Sequence, residues 1–330
     1  MSRSRPAENL SFAVVGVGEM GQNHARCLAS MKGVDLVAVV DPDNQRRMSI
    51  STTYGCEAYA SISELQGIEA AVVAAPTAMH AELGCALLER GIHCLIEKPL
   101  AYSREEAQLL IDAADLADAT LQVGHIERFN PAVRQLKDLL RGESAIVANA
   151  RRLSAFSGRV EDIDVVMDLM VHDLDVILFL LEESAGEVVA RGIDGPHGFD
   201  HVTTLLSFPS GRLATLTASR ITQNLVRKLE ITTNDRYFTV DYPNQELLVF
   251  QQGRIEGIGD REDKTSYSLD VDTRRVFVRR GEPLIAELEH FVGAIRDHHR
   301  NEVDGRQALH ALELVWKVQS CLAAWQSHCD

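Results

Sequence analysis

The first third of the sequence alternates short apolar runs with segments long enough for a helix, and this alternation constrains the fold more than any other feature. The apolar runs cover 11–16, 34–41, 70–75, 93–98 and 119–124. They are rich in Val, Ala, Leu and Ile and are bounded by turn residues. Apolar strands separated by helices form a parallel sheet that helices cover on both faces. The sequence therefore predicts an α/β domain with a parallel sheet over residues 1–125.

The pattern changes near residue 125, and residues 126–330 predict a second domain of mixed α+β type. Helical patterns cover 131–140, 165–181, 284–297 and 307–324. Strand-like segments cover 145–153, 201–208, 212–220, 228–233, 236–242 and 246–250. Because short polar turns join most of the segments after residue 200, these segments predict an antiparallel meander.

The balance of charges excludes some classes of partner. The chain has 33 Lys and Arg against 48 Asp and Glu, which gives a formal net charge of −15. Since there is no overall basic field, we expect it to bind neither nucleic acid nor an anionic membrane surface. No apolar stretch approaches the roughly 20 residues of a membrane span, and residues 1–10 lack the apolar core of a signal peptide. These features predict a cytoplasmic protein.

The six cysteines are scattered through the chain without C-x-x-C spacing. This distribution favours reduced thiols over a metal site or a disulfide framework. We therefore expect no bound metal.

A glycine-rich turn follows the first apolar run and opens a helical segment. Residues 16–21 read GVGEMG, the G-x-G-x-x-G spacing of turns that let a pyrophosphate approach the backbone at a helix N-terminus. Asp41 ends the second run, twenty residues after Gly21, where a carboxylate can accept hydrogen bonds from ribose hydroxyls. The pattern favours NAD over NADP, while Arg46 and Arg47 leave NADP open because they could meet a 2′-phosphate.

Lys98 lies in the tripeptide Glu97-Lys98-Pro99 at the end of the run 93–98, the edge at which parallel sheets bind ligands. A lysine there can donate to a substrate hydroxyl and help to remove its proton. The alternative is a surface ion pair between Lys98 and Glu97.

The apolar helix pattern 165–181 is interrupted by Asp168, His172 and Asp175. In an α-helix, spacings of four and three place these side chains on one stripe, where Asp168 could orient and stabilise the His172 imidazole. Histidine suits reversible proton transfer near neutral pH, as the oxidation of an alcohol requires. The alternative is a hydrogen-bonded core histidine beside an aspartate on the helix face.

Taken together, the motifs resemble those of the Gfo/Idh/MocA oxidoreductases. The GVGEMG turn, the loop Ala75-Pro76-Thr77, the EKP tripeptide and the D-x-x-x-H pattern at 168–172 occur here in the family's order. The resemblance implies an N-terminal Rossmann domain and a C-terminal α+β domain with an open, largely antiparallel sheet. It also implies an NAD-dependent dehydrogenase of a sugar or polyol. In that reading Lys98 and His172 form a proton-transfer pair, and Asp168 is a partner of the substrate or of the histidine.

The resemblance also implies two sets of binding residues. Those expected to contact NAD are Gly16, Gly18, Glu19, Met20, Gly21, Asp41, Pro76, Thr77, His80, Glu97, Lys98 and His125. Those expected to contact the substrate are Lys98, Arg128, Arg152, Arg159, Asp168, His172, Arg220 and Arg227. The arginines of the second domain could supply local positive charge for a nucleotide diphosphate, or they could be ordinary charges at strand edges.

Three segments are similar to the UDP-N-acetylglucosamine 3-dehydrogenase branch of the family, namely 123–133, 167–175 and 226–242. This similarity implies oxidation of the sugar's C3 hydroxyl to a ketone. A partner aminotransferase would convert the ketone to a 3-amino sugar for lipid A or surface glycan. One departure is Asp164, which stands where family members usually have glycine.

Two other functions stay open from the residues alone. The substrate could be another nucleotide sugar or a free sugar or polyol such as glucose or inositol, or the chain could be a non-catalytic regulator that senses NAD. By the same resemblance, the open sheet implies a homodimer or homotetramer.

Overall fold

The structure is a computed structural model that describes residues 9–155, 164–196, 198–257, 267–297 and 301–327. Arg159, one of the predicted substrate residues, and Cys329, the last of the six cysteines, lie outside the described residues. The five described cysteines are free thiols. Among the described helices, none combines the length and the apolar character that crossing a membrane would require.

Six parallel strands form the first sheet. They are β1 (Leu10–Val15), β2 (Val34–Val40), β3 (Glu57–Tyr59), β4 (Ala70–Val73), β5 (His93–Ile96) and β6 (Leu121–Val123), in the spatial order β3-β2-β1-β4-β5-β6. The connecting helices are α1 (Glu19–Ser30), α2 (Asn44–Tyr54), α3 (His80–Leu88) and α4 (Arg104–Leu116). The predicted parallel α/β fold is confirmed, and the short edge strand β3 is added to the five predicted strands.

The order of the strands reverses between β1 and β4, and this reversal fixes the position of the ligand crevice. From β1 the chain first builds β2 and β3 on one side and then crosses to build β4, β5 and β6 on the other. Loops that leave a parallel sheet at such a switch point diverge at the carboxyl ends of the strands and leave a crevice there. The loops after β1 and β4 are therefore the expected walls of a ligand site.

Local signals set the ends of several helices. The Asp43 side chain accepts hydrogen bonds from the backbone at the start of α2, and the helix ends at Gly55, which adopts φ +70°. A capping box between Ser103 and Glu106 starts α4. Such caps satisfy backbone groups that have no partner inside the helix.

Eight strands form the second sheet. In chain order, the elements after β6 are α5 (Pro131–Leu139), β7 (Ala145–Leu153), α6 (Val171–Leu181), β8 (Glu187–Gly195), β9 (Gly198–Ser207), β10 (Leu213–Ser219), β11 (Val226–Thr233), β12 (Arg236–Asp241), β13 (Glu246–Gly257), β14 (Tyr267–Val276), α7 (Pro283–Asp297) and α8 (Gly305–Gln326). The order in the sheet is β14-β13-β12-β11-β7-β10-β9-β8. This is the predicted C-terminal α+β fold with a largely antiparallel sheet.

The predicted meander is wrong at one point. Strands β10 and β11 are not neighbours, because β7 lies between them, parallel to β10 and antiparallel to β11. The connection 220–225 is longer than the tight turns that join adjacent hairpin strands, and it leaves room for β7. The sequence pattern identified six of the eight strands and missed β8 and β14, and it did not show that an earlier strand pairs between two later ones.

The chain divides into two units that do not coincide with one cut in the sequence. The first unit contains residues 1–129 and 282–313, and the second contains 130–281 and 314–330. The division differs from the predicted ranges 1–125 and 126–330 because α7 packs in the core of the first unit. Leu288 and Phe291 of α7 are completely buried there, and the Phe291 ring meets Phe12 of β1 edge to face at 6.0 Å.

We predict that Phe291→Ala destabilises the first unit by about 3–5 kcal/mol, because it removes a buried aromatic ring and leaves a cavity against β1. The measurement is hydrogen exchange of the β1 and β4 backbone amides in urea. The fluorescence of Trp316 and Trp325 follows the second unit separately, since both lie in it.

The matched control is Leu116→Ala on α4, where the side chain is 88% exposed and the change should stay within about 0.5 kcal/mol. Equal protection of the β1 amides in Phe291→Ala and Leu116→Ala would show that α7 does not complete this core.

Candidate active site

The glycine turn after β1 brings backbones closer together than any side chain would allow. A Cβ on Gly16, which adopts φ +86°, would lie 2.7 Å from the backbone nitrogen of Ala75. A Cβ on Gly21 would lie 1.8 Å from the Gly16 carbonyl oxygen. The first and third glycines are therefore required by the packing of α1 and of the β4 loop against the turn.

The second glycine, Gly18, faces open space instead. No described atom lies within 4 Å of the position that its Cβ would take. Gly18 is the N-cap of α1, and Glu19 and Met20 are exposed in the first turn of that helix. A helix N-terminus attracts anions through its dipole and its backbone N–H groups. This open cradle at the end of α1 fits the pyrophosphate of a dinucleotide.

Asp41 is fixed beside the same turn. Its Oδ2 accepts a hydrogen bond from the backbone N–H of Val17 at 2.9 Å, and its Oδ1 accepts one from the N–H of Asp43 at 2.8 Å. The carboxylate is only 6% exposed, so these bonds hold it in one orientation. Each carboxylate oxygen has a second acceptor site, which is what ribose hydroxyls require.

Arg46 and Arg47, which could have met the 2′-phosphate of NADP, both contact groups of their own loop. Arg46 lies 3.5 Å from the Asp43 carboxylate. Arg47 donates to the backbone oxygens of Asp41 and Pro42. These contacts, with the Asp41 carboxylate at the end of β2, agree with NAD as the cofactor.

His80 holds together the loops that follow β4 and β5. Its Nε2 lies 2.9 Å from the Ala75 carbonyl oxygen, and its Nδ1 lies 3.0 Å from the Pro99 carbonyl oxygen. Burial lowers the pKa of His80 and outweighs the two carbonyl oxygens and Glu97, which raise it. Pro76 and Thr77 lie on the loop that His80 holds, where Pro76 is exposed and Thr77 is half-buried. His80 is thus placed to fix the cofactor loop from inside.

The Glu97 carboxylate is buried in the first unit and does not lie at the surface. Its Oε1 lies 2.7 Å from Nε2 of His24, which is completely buried on α1. Its Oε2 accepts the backbone N–H of Lys98 at 3.2 Å. A Cβ on Gly124 would lie 2.9 Å from that oxygen, so only glycine leaves room for the carboxylate. Lys98 itself is half-buried at the end of β5, and its peptide bond to Pro99 is cis.

The electrostatics of the pair favour an ionised carboxylate. Burial raises the pKa of Glu97, but the hydrogen bond and charge of His24 and the charge of Lys98 lower it further, so the net pKa lies below its ordinary value of 4.5. The Glu97 carboxylate therefore carries its charge at neutral pH. It is bonded to the backbone N–H of Lys98, the lysine that we expect to contact the substrate.

Sequence analysis missed His24, although a signal for it was present. The buried positions of α1 include Gly21, His24, Ala25 and Leu28, the spacing of an apolar helix face. A histidine on such a face is buried and needs a polar partner. The pattern could not show that Glu97, 73 residues later, is that partner.

Two predicted site residues follow β6. His125 is 2% exposed, and the next residues form a short helical turn, Ile126–Phe129. Arg128 is also buried, and its Nη1 donates to the Glu302 carbonyl oxygen at 2.6 Å and to Gln307 Oε1 at 2.5 Å. Arg128 thus ties this turn to the segment between α7 and α8. Its contact with the substrate stays a prediction.

In the second unit, Asp168 and His172 lie on a helical segment that is not a uniform α-helix. A π-helical turn, Val166–Met170, precedes α6, and the backbone N–H of Val171 bonds to the Val166 carbonyl oxygen five residues back. Asp168 and His172 are half-buried, whereas Asp175 is buried. The single α-helical stripe expected from the sequence is therefore interrupted by one extra residue in the turn that carries Asp168.

Two of the predicted substrate arginines form buried ion pairs within the second unit. Arg152 binds the Asp173 carboxylate with two hydrogen bonds of 2.9 and 3.0 Å, and its guanidinium lies 5.3 Å from the Tyr242 ring centre. Arg220 pairs with Asp200. Burial of these guanidinium groups is balanced by the carboxylates, so they add little net charge to a ligand site. Sequence analysis did not single out Asp173 or Asp200.

Arg227 differs from these two arginines because it is exposed on β11, next to the exposed Lys228. In the sheet, Arg227 pairs in register with Arg152 of β7. Among the described arginines predicted to bind substrate, Arg227 is the one that solvent reaches most easily. Its role, like those of Arg152 and Arg220, stays a prediction.

We predict that Gly18→Ala weakens NAD binding at least about tenfold while leaving the thermal unfolding temperature within about 2 °C of the wild-type value. The added methyl group enters the open cradle and displaces the pyrophosphate, but it meets no described atom of the chain. Calorimetric titration with NAD and a thermal melt measure the two effects.

Gly21→Ala is the matched comparison, because its methyl group would collide with the Gly16 carbonyl. This variant should lose stability as well as NAD binding. If Gly18→Ala bound NAD as tightly as wild type, the cradle would not be the pyrophosphate site.

We predict that Glu97→Gln lowers the free energy of unfolding by about 1–3 kcal/mol at pH 7, since it weakens a buried charged hydrogen bond. Because the folded pKa of Glu97 lies below 4.5, the carboxylate contributes stability above pH 4.5 that is lost as the pH falls through the lowered pKa. The difference between wild type and variant should therefore be largest near pH 7 and shrink below pH 4.5.

Urea unfolding at several pH values measures this difference. The exposed Glu89→Gln on the same unit serves as the control and should change stability by no more than about 0.5 kcal/mol. A difference between wild type and Glu97→Gln that is constant from pH 7 to pH 3.5 would contradict the assignment.

Family models match both parts of the chain. The model of the Gfo/Idh/MocA oxidoreductase family, described as an NAD-binding Rossmann fold, matches residues 10–125. The model of the Gfo/Idh/MocA C-terminal domain matches residues 151–237. The first match covers the glycine turn, Asp41, His80 and the Glu97–Lys98 edge, and the second covers Asp168 and His172.

Whole-chain relatives agree with these matches. The chain is 32% identical to the UDP-N-acetylglucosamine 3-dehydrogenase of Acidithiobacillus ferrooxidans over 96% of this chain and 98% of that protein. A solved structure of an enzyme of that name and organism matches with a TM-score of 0.87 and 30% identity, over 96% of this chain and 98% of the other. The scyllo-inositol 2-dehydrogenase (NAD(+)) of Bacillus subtilis is 26% identical over 84% of this chain and 89% of that protein. The chain therefore belongs to the Gfo/Idh/MocA family of oxidoreductases, with an NAD-binding Rossmann fold at its amino-terminal end.

Proposed function

We propose that this oxidoreductase uses NAD to oxidise the C3 hydroxyl of UDP-N-acetylglucosamine to a ketone. The observation that carries the proposal is the similarity to the Acidithiobacillus ferrooxidans enzyme of that name, which extends over 96% of this chain with a TM-score of 0.87 for the fold. The similarity includes the unit that holds Asp168 and His172 as well as the unit that holds the cofactor cradle.

The proposed chemistry needs one hydride acceptor and one route for a proton. NAD, when bound in the Gly18 cradle, supplies the hydride acceptor. Lys98 donates a hydrogen bond to the substrate hydroxyl and favours its ionisation through its positive charge. His172 takes the proton as general base, and Asp168 stabilises the imidazolium that results.

The surroundings of Lys98 support its part in this scheme. The ionised Glu97 behind it is held by His24 and by the backbone N–H of Lys98. These contacts fix the backbone of the EKP segment. The Cα of Lys98, from which its side chain extends, therefore has a defined position. Fixed polar groups cost little reorganisation during proton transfer, which is how an active site lowers a barrier.

The nucleotide part of the substrate needs positive charge in an acidic protein. Arg227 and Lys228 are exposed side by side on β11. An arginine can bind a phosphate with two parallel hydrogen bonds, and a neighbouring lysine adds charge. We assign the diphosphate to Arg227 and Lys228. Arg152 and Arg220 serve mainly to hold Asp173 and Asp200 in place.

A free polyol is the second candidate substrate, because the polyol dehydrogenase of Bacillus subtilis matches 84% of this chain. In that case the same Lys98 and His172 would act on a ring hydroxyl without help from a diphosphate site. The third candidate, a regulator that senses NAD without turnover, requires neither residue.

The same proposal implies what happens to the product and where in the cell the protein acts. A 3-keto sugar is the substrate of an aminotransferase, which would supply a 3-amino sugar for lipid A or surface glycan. The five described free thiols agree with a reducing, cytoplasmic location.

A homodimer or homotetramer is supported by the outer face of the second sheet. Val189, Ile193, Leu205 and Leu213 are all at least 39% exposed there, and Val189 and Leu205 are paired in register. Exposed apolar patches of this kind are typical of surfaces that associate.

We predict that the protein reduces NAD with UDP-N-acetylglucosamine and not with free N-acetylglucosamine, glucose or myo-inositol. Absorbance of the reduced nicotinamide measures turnover, and mass spectrometry identifies the 3-keto product. A glutamate-dependent aminotransferase added to the assay removes the ketone and so draws an unfavourable equilibrium forward.

Lys98→Met and His172→Asn are the controls for the site. Each should lower turnover at least about 100-fold because each removes a proton-handling group, and NAD should still bind within about tenfold of wild type because the glycine cradle is intact. Turnover with free myo-inositol or glucose would replace the nucleotide sugar by a polyol. Tight NAD binding without turnover on any of the four substrates would favour the regulator.

A further inference from the structure

Asp164 holds the beginning of the helical segment that carries Asp168 and His172. Its Oδ1 accepts hydrogen bonds from the backbone N–H groups of Val166 at 3.1 Å and Met167 at 2.9 Å. Its carbonyl oxygen accepts the N–H of Asp168 at 3.0 Å. The Asp164 carboxylate therefore satisfies two backbone donors at the start of the helical segment, where the helix itself offers no acceptor, and its carbonyl oxygen makes an ordinary i→i−4 helical bond.

The second carboxylate oxygen of Asp164 is anchored to another helix. Gln319 of α8 donates from Nε2 to Oδ2 at 2.9 Å. On a further side, Gly198 adopts φ +85° at the start of β9, and a Cβ at this position would lie 3.2 Å from Asp164 Cβ. The Asp164 side chain is thus held by α8, with Gly198 of β9 close beside it, while it holds the π-helical turn.

The π-helical turn differs from an α-helical turn by one residue. The bond from the Val171 N–H to the Val166 carbonyl oxygen spans five residues, so the turn contains one residue more than an α-helical turn. If the segment relaxed to α-helical bonding, the residues after the turn would rotate by about 100° relative to those before it, since 3.6 residues make one α-helical turn. That rotation would reorient His172, which lies just after the turn.

We propose that Asp164 is a positioning residue of the active site. Its carboxylate fixes the π-helical register between Val166 and Val171 and thereby sets the direction of His172 relative to Asp168. It acts through its acceptor geometry and not through contact with the substrate. The effect on turnover rests on the proposed catalytic role of His172, whereas the effect on the backbone does not.

This assignment gives a structural reason for the departure noted in the sequence. A glycine at residue 164 would have no side chain to accept from Val166, Met167 or Gln319. The Asp164 carboxylate instead accepts three hydrogen bonds, all between 2.9 and 3.1 Å. In this chain the aspartate at residue 164 therefore goes together with a fixed π-helical turn.

The test compares Asp164→Ala with Asp164→Asn and with a matched control, Asp194→Ala. Asp194 of β8 accepts from Gln326 of α8 at 3.0 Å, the same kind of contact between an aspartate and a glutamine, but it does not touch the π-helical turn. Asp164→Asn keeps an oxygen for the two backbone donors, and its amide can pair with the side-chain oxygen of Gln319.

We predict that Asp164→Ala lowers kcat about 10- to 100-fold with little change in the KM for NAD, and that it speeds hydrogen exchange of the Val171 amide at least about tenfold. Asp164→Asn should restore most of both, and Asp194→Ala should change neither. Gln319→Leu, which removes only the outer contact, should give an intermediate effect if Asp164→Ala proves too unstable to purify.

Two results would overturn the proposal. One is wild-type exchange at Val171 in Asp164→Ala, which would show that the carboxylate does not hold the turn. The other is an Asp164→Asn variant as impaired as Asp164→Ala, which would show that charge and not acceptor geometry matters. Exchange at Val171 needs no substrate, so it tests the proposal even if UDP-N-acetylglucosamine gives no turnover.

Discussion

Close approach between backbones at the end of β1 is the constraint on which the rest of the first unit depends. Gly21 lies against the Gly16 carbonyl, and Gly16 lies against Ala75 in the loop after β4. Helix α1 therefore sits closer to the sheet than any side chain at these positions would allow. This depth brings His24 of α1 to the Glu97 carboxylate. The cofactor cradle and the support of Lys98 thus arise from the same packing.

The second unit is organised around balanced buried charge. Arg152 is paired with Asp173 and Arg220 with Asp200, so burying each arginine leaves no uncompensated charge. Breaking such a pair on one side is costly, which makes these residues supports of the sheet and of α6. Arg227, in contrast, is exposed on β11. The sequence does not distinguish these arginines, but the fold does: it buries Arg152 and Arg220 beside carboxylates and leaves Arg227 exposed.

Much of this could be predicted from the sequence, because the signals are local. Strand periodicity, the glycine spacing and Asp41 each depend on neighbouring residues, and they predicted the parallel sheet and the cofactor crevice. The position of β7 between β10 and β11, the pair of His24 with Glu97 and the pair of Arg152 with Asp173 join residues far apart in the chain. The π-helical turn before α6 was missed for another reason: it changes the helical period that the spacing argument assumed.

The return of α7 to the first unit also bears on how the protein is made. During synthesis the strands β1 to β6 leave the ribosome first, but Leu288 and Phe291, which complete their core, follow more than 150 residues later. The whole of 130–281 is synthesised in between and belongs to the other unit. The part of the Rossmann core that Leu288 and Phe291 cover therefore stays exposed while the second unit is translated. This interval is the stage at which the growing chain most needs protection from aggregation.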